Sequence, residues 1–151
     1  MSEISSQSPD VEAPNYVGLA SFRLALRQFI GFSQQAAKEA GLPPQQHQTI
    51  LAIKGLAPEK GITIGELAAY MLLKHHTTVE LVGRLVEAGL VLRSPDAGDK
   101  RIVRLTLTRK AEDILAPLTR RHMAELRRNA PHLIGILKQI SQEAASVMNQ
   151  E

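Results

Sequence analysis

The sequence predicts a mostly α chain, α+β by class, with one β-hairpin set between helices. Three observations carry that expectation. Leu and Ala make up a quarter of the 151 residues, and both are strong helix formers. Apolar residues recur at three- and four-residue spacing through most of the chain. Between Leu90 and Thr108 the period shortens to two, as in short strands.

The elements follow in order. Residues 1–15, rich in Ser, Gln, Pro and acid, read as a disordered leader without the apolar stretch of a secretory signal. From Tyr16 to Ala40, Leu19, Phe22, Leu26, Phe29, Ser33, Ala36 and Ala40 step by three and four, and Gly41 stands where a helix stops. Pro43-Pro44 opens a second helix to about Leu56, with Ile50, Leu51, Ile53 and Leu56 inward. Pro58–Gly61 is a turn, followed by a short strand or a further turn. Thr63-Ile64-Gly65-Glu66 fits a capping box, in which hydroxyl and carboxylate satisfy each other's orphan N–H groups. It opens a short helix to about Met71, with Leu67, Ala68 and Met71 inward.

The next helix, about His75 to Ala88, turns Thr78, Leu81, Val82, Leu85 and Val86 inward and stops at Gly89. Leu90–Ser94 and Arg101–Thr108 are strand-like, with Ile102, Arg104 and Thr106 alternating against Val103, Leu105 and Leu107. Pro95–Asp99 between them is turn chemistry, so the pair forms a hairpin with a long polar tip. Thr108 caps a helix carrying Ile114, Leu115, Leu118 and Leu126, which Pro117 is expected to kink or to deprive of one hydrogen bond. Pro131 is expected to interrupt again, before a last amphipathic helix on Leu133, Leu137, Ile140, Ala144 and Val147.

Several function classes are excluded. The chain has no Cys, so disulfides, thiolate catalysis and Cys-zinc sites are ruled out. No run of about 18 apolar residues exists to span a membrane, and the expected setting is the cytoplasm. No nucleophile–base pair, phosphate loop or cofactor motif emerges, so an enzyme is not expected. His75 and His76 point about 100° apart on a helix without Cys or a close carboxylate, which argues against a metal site. His47, His122 and His132 stand isolated in the sequence.

The charge is informative once located. Between Lys74 and Lys110 eight cations face four carboxylates, so the basic excess of the chain lies in a 37-residue window. Alone it reads as a solvated face. It coincides, however, with the second short helix and the hairpin tip. Two short helices joined by a tight turn and followed at once by a hairpin describe a winged helix-turn-helix. An electrostatic footprint on those elements points to nucleic acid.

From Gly65 to Thr108 the chain reads GELAAYMLLKHHTTVELVGRLVEAGLVLRSPDAGDKRIVRLTLT. It resembles the DNA-binding core of the MarR family of bacterial transcription regulators. The resemblance rests on Glu66-Leu67-Ala68, on the spacing from Thr77 through Leu81-Val82 to Arg84-Leu85, on Ala88-Gly89-Leu90-Val91, and on Asp99-Lys100-Arg101 leading into Val103–Thr108. It implies dimerisation helices at 16–40 and 131–149, a winged helix-turn-helix at 43–108 and a linking helix at 109–130. It also implies a homodimer on a pseudo-palindromic double-stranded DNA operator, acting as a repressor released by a small aromatic or phenolic ligand.

By the same resemblance Lys74, His75, His76 and Thr77 meet the major groove at the first turn of the recognition helix, where free N–H groups favour phosphate. Thr77, Val79, Glu80 and Gly83 become base readers. A carboxylate at Glu80 can accept from a cytosine amine. Arg84 clamps phosphate, which positions without specifying. In the wing, Asp99 orients Arg101 for a narrow minor groove, beside Lys100. Phe22, Phe29 and His47 are expected at the wall of an effector pocket. The competing expectation is a winged helix used for protein contacts alone.

Overall fold

The computed structural model describes residues 14–149, leaving most of the expected leader, and the side chains of Ala144 and Val147, outside the described residues. The order is α1 (Tyr16–Glu39), α2 (Pro44–Leu56), β1 (Ile62–Thr63), α3 (Ile64–Met71), α4 (His75–Glu87), β2 (Val91–Pro95), β3 (Val103–Leu107) and α5 (Arg109–Met148). The fold is mostly helical with one small sheet. The chain divides into two compact units, one containing residues 14–28 and 129–149, the other Phe29–Arg128.

In the first unit, Asn15 caps α1 by accepting the Gly18 N–H at 2.7 Å, and its amide donates to Glu143. Asn15 therefore belongs to the helix start rather than to a disordered leader. Among its described large apolar side chains, only Ile136 is buried.

The second unit holds the core. Leu42, Ile50, Ile53, Leu67, Val82, Leu85, Leu105, Leu115 and Leu118 form one buried cluster drawing on all its layers. In α2 the buried face runs His47, Ile50, Ile53, whereas Leu51 and Leu56 are 39% and 50% exposed. Those two were expected inward. Leu51 lies 100° beyond Ile50, and the true face includes a histidine that apolar counting misses.

The Thr63 capping box is present, with Glu66 N–H to Thr63 Oγ1 and Thr63 N–H to Glu66 Oε2 both at 3.1 Å. Gly89 ends α4 at φ +73°, and Leu90 N–H returns to the Leu85 carbonyl at 2.9 Å. The sheet order is β1-β3-β2, antiparallel throughout, with Ile62 opposite Leu105 and Ser94 opposite Arg104. Gly61 precedes β1 at φ +81°, and a Cβ there would lie 2.7 Å from the Leu105 carbonyl oxygen. Only glycine permits that approach of turn to strand.

Thr108 caps α5 by accepting the Ala111 N–H at 3.2 Å and ties it back to the Gly89 carbonyl at 2.7 Å. The interruption expected at Pro131 does not occur, and at Pro117 the cost is one lost hydrogen bond rather than a break: α5 is a single helix of 40 residues through both prolines. Both prolines, and the residues Asp113 and Arg127 whose carbonyls lose a donor, are exposed. Water can satisfy those carbonyls, proline already has helical φ, and the buried Ala111, Leu115 and Leu118 hold the first turns.

Candidate nucleic-acid interface

The sequence dictates which face of α4 is open. Thr78, Leu81, Val82 and Leu85 are buried at three-four spacing, so one side of the helix is committed to the core. The buried Thr78 hydroxyl is satisfied by the Lys74 carbonyl at 3.0 Å. The opposite stripe runs His76, Glu80, Gly83 and Glu87, flanked by Val79 and Arg84. Val79 is 40% exposed.

Lys74 is the N-cap residue, His75 and His76 are exposed in the first turn, and Thr77 is half-buried. No side chain caps this end and no acid occupies its first turn. Its N–H groups and the positive end of its dipole therefore face solvent, suited to an anion. Glu80 and Arg84 are exposed further along. Taken together, α4 places all eight of its sequence-predicted residues, Gly83 among them, at its start or on its outer side.

The hairpin tip is ordered by two carboxylates. One Asp96 oxygen accepts the N–H groups of Gly98 and Asp99, each at 3.0 Å. Its other oxygen accepts Arg104 Nε at 2.9 Å. Asp99 accepts the Arg101 N–H at 3.1 Å and grips its guanidinium twice, at 3.0 Å from Nε and from Nη2. Arg104, and after it the Asp99 and Gly98 amides, hold Asp96 below the usual carboxylate range, and the Arg101 guanidinium and backbone amide do the same for Asp99. Arg101 is 91% exposed, so the fork is aimed outward with its free edge in water. Lys100 beside it is exposed too.

Two residues at this surface escaped the sequence reading. Arg93, on β2, carries a guanidinium nitrogen 3.8 Å from where a Gly83 Cβ would stand, so it reaches the open stripe of α4. The strand-to-helix proximity that reveals it has no local sequence signal. Arg104 has no expected role beyond its charge and its place in the strand alternation. Lys74, Arg84, Arg93 and Lys100 form no ion pair among the described residues, in contrast with Lys54, Arg109, Arg121 and Arg128, which hold Glu112, Asp113, Glu39 and Glu125.

The expected effector residues fall in both units. Phe22 is half-buried in the first unit. Phe29 and His47 converge in the second unit on His122, with ring centroids 6.1 and 4.9 Å from it, and Phe32 joins at 5.4 Å. His47 and His122, expected to be isolated, are therefore a pair. His122 donates from Nδ1 to the Leu118 carbonyl at 2.7 Å, which leaves Nε2 to accept from Ser33 Oγ at 2.8 Å. His47 is 2% exposed, and neither of its ring nitrogens has a partner. A cavity of about 200 Å³ lies elsewhere, lined by Ala36, Glu39, Ala40, Ile114, Pro117, Leu118 and Arg121. Among the described residues no cluster of three or more His or acidic side chains could hold a metal. No helix there is long and apolar enough to cross a membrane.

The family model for MarR matches residues 40–102, from the end of α1 to the tip of the wing. Two uncharacterised HTH-type transcriptional regulators of Bacillus subtilis are similar in sequence. YsmB is 30% identical over 114 residues, 72% of this chain and 75% of its own, and YcgE is 31% identical over 124 residues, 80% and 79%. Among solved structures, RV1404 of Mycobacterium tuberculosis overlays with a TM-score of 0.68 at 20% identity, covering 89% of this chain and 97% of its own. The MepR–DNA complex of S. aureus gives 0.66 at 17% identity, covering 92% and 100%. The helix-turn-helix and wing just described are thus those of a known regulator architecture, and the chain belongs to the MarR family of DNA-binding transcription regulators.

Proposed function

We propose that this chain acts as a homodimer on a pseudo-palindromic double-stranded operator, as a repressor released by a small aromatic or phenolic ligand. One observation carries the DNA reading: Lys74, Arg84, Arg93, Lys100 and the outer edge of Arg101 present unshared positive charge around the open side of α4 and at the wing tip. His75, His76, Thr77, Val79 and Glu80 supply the groups that read bases, and Asp99 orients Arg101. MepR, of the same fold, has been solved on DNA. The effector reading rests on His47, whose two unpartnered nitrogens stand beside the His122 ring, itself met edge-on by Phe29 and Phe32. A carboxylate or phenol entering there gains a hydrogen-bond partner that the empty protein lacks. CouR of Rhodococcus jostii RHA1, with a TM-score of 0.66 at 21% identity, was solved bound to p-coumaroyl-CoA.

The rival is a winged helix used for protein contacts, favoured by the two carboxylates, Glu80 and Glu87, on the outer stripe of α4. Salt separates the two. Duplex binding is expected to fall steeply on a log–log plot, by about 0.9 per phosphate neutralised. Arg101→Ala is expected to weaken it by about 1–3 kcal/mol with the thermal transition retained. A flat salt response, or full affinity in Arg101→Ala, counts against the DNA reading of these residues.

A further inference from the structure

Arg104 is a charged residue on the central strand, β3, next to the wing tip, and its surroundings explain why it is there. Its side chain is 15% exposed, between the β1 residue Thr63 and the β2 residue Ser94 in register. Burying a guanidinium this far costs stability unless its donors are used. They are used on three separate segments. Nε donates to Asp96 Oδ1 at 2.9 Å. Nη1 donates to the Gly61 carbonyl at 3.3 Å and lies 3.9 Å from Glu66 Oε2.

Each partner already has a task. Gly61 is the turn pressed against β3, and Glu66 is the capping carboxylate of α3. Asp96 organises the wing tip through the Gly98 and Asp99 N–H groups, and Asp99 in turn grips Arg101. A continuous chain of hydrogen bonds therefore runs from the Gly61 turn, through Arg104 and Asp96, to the exposed guanidinium of Arg101, with the Glu66 carboxylate of α3 beside Arg104 as an ion pair. Lysine cannot replace this fork, because a single ammonium cannot span Asp96 and the Gly61 carbonyl with the same planar geometry.

We infer that Arg104 is the positioning residue of the wing: it touches no DNA and fixes the tip, and with it Lys100 and Arg101, relative to the helix-turn-helix. The inference rests on the proposed role of the wing in DNA binding. A tip held in place loses less conformational entropy on docking than a free one, and that difference appears as affinity.

The experiment is a double-mutant cycle in the full chain, read by binding to a duplex recovered by in vitro selection. Arg104→Met keeps the packing stem and removes the fork. It is expected to weaken binding about tenfold and to lower the salt slope by about one, as Arg101→Ala does. In the Arg101→Ala background, Arg104→Met is expected to add less than about a further twofold. Hydrogen exchange at the Gly98 and Asp99 amides is expected to speed up in Arg104→Met while α4 amides stay as protected as before. Asp96→Asn breaks the same link from the other side, so the cycle survives if Arg104→Met does not fold. Losses that multiply in the double variant, or unchanged binding in both Arg104→Met and Asp96→Asn, overturn this inference alone. Full affinity in Arg101→Ala overturns the role of the wing and this inference with it.

Discussion

His47 shows how much one buried side chain can carry. Its imidazole is 2% exposed, its nitrogens are unpartnered, and burial, with the neighbouring His122 second, lowers its pKa to about 4 from 6.5. The groups around it are His122 from α5 and, beyond that ring, Phe29, Phe32 and Ser33 from α1. Because the folded pKa lies below the unfolded one, the unfolded chain binds the proton first. Stability is therefore full above about pH 6.5 and falls with pH towards 4, by on the order of 3 kcal/mol when complete. His47→Leu removes both orphaned nitrogens and this titration. Urea unfolding is expected to show the variant at least as stable at pH 7.5, and to lose less than the parent between pH 7 and 5.5, where ordinary carboxylates do not titrate. Equal pH dependence in the two proteins would mean that His47 finds solvent or a partner. None of this is visible along the chain. His47 and His122 are placed together by tertiary packing, and a sequence read residue by residue leaves both isolated.

At the scale of elements, what is local was legible and what is paired at a distance was not. The Thr63 box, the Gly41 and Gly89 stops and the Thr108 cap each need only neighbours within a few residues, and each stands where the sequence places it. The recognition helix was legible for the same reason, since its buried and open sides follow from three-four spacing. By contrast β1 is two residues long and exists because Ile62 and Thr63 pair with Leu105 and Arg104. The break expected at Pro131 failed because an exposed carbonyl loses little when its donor is removed. The turn between α3 and α4 hides another non-local cost. Leu72 sits there at φ +55°, 91% exposed, as the one non-glycine residue with positive φ among those described. Left-handed backbone costs a Cβ-bearing residue about 1–2 kcal/mol, against less than about 1 kcal/mol of extra chain entropy for glycine. Leu72→Gly is thus expected to raise unfolding stability by about 0.5 kcal/mol in urea, with duplex affinity unchanged. A loss of stability would show that the exposed Leu72 side chain has a partner.

At the scale of the molecule, the first unit does not satisfy itself. Its described part has one buried large apolar side chain, Ile136, while Tyr16, Val17, Leu19, Leu24, Ile134, Leu137 and Met148 are each at least 46% exposed. Burying a side chain of this size is worth about 1.5–3 kcal/mol, so leaving seven in water on one small unit is costly and points to a partner. A second copy is the occupant proposed here, because a two-fold interface lets one patch pair with itself. The DNA reading asks for the same arrangement, since two recognition helices on successive half-sites stand about 34 Å apart and must be held there. Light scattering at micromolar concentration is expected to give about twice the chain mass of 16.5 kDa. Leu19→Glu with Leu137→Glu puts a charge on each of the two helices of the first unit without touching the buried cluster of the second unit. That variant is expected to run as a folded monomer and to lose at least tenfold in affinity for a two-half-site duplex, while keeping parental affinity for a single half-site. A parent that scatters as a monomer, or a charged variant that stays dimeric, would place the interface elsewhere or abolish it.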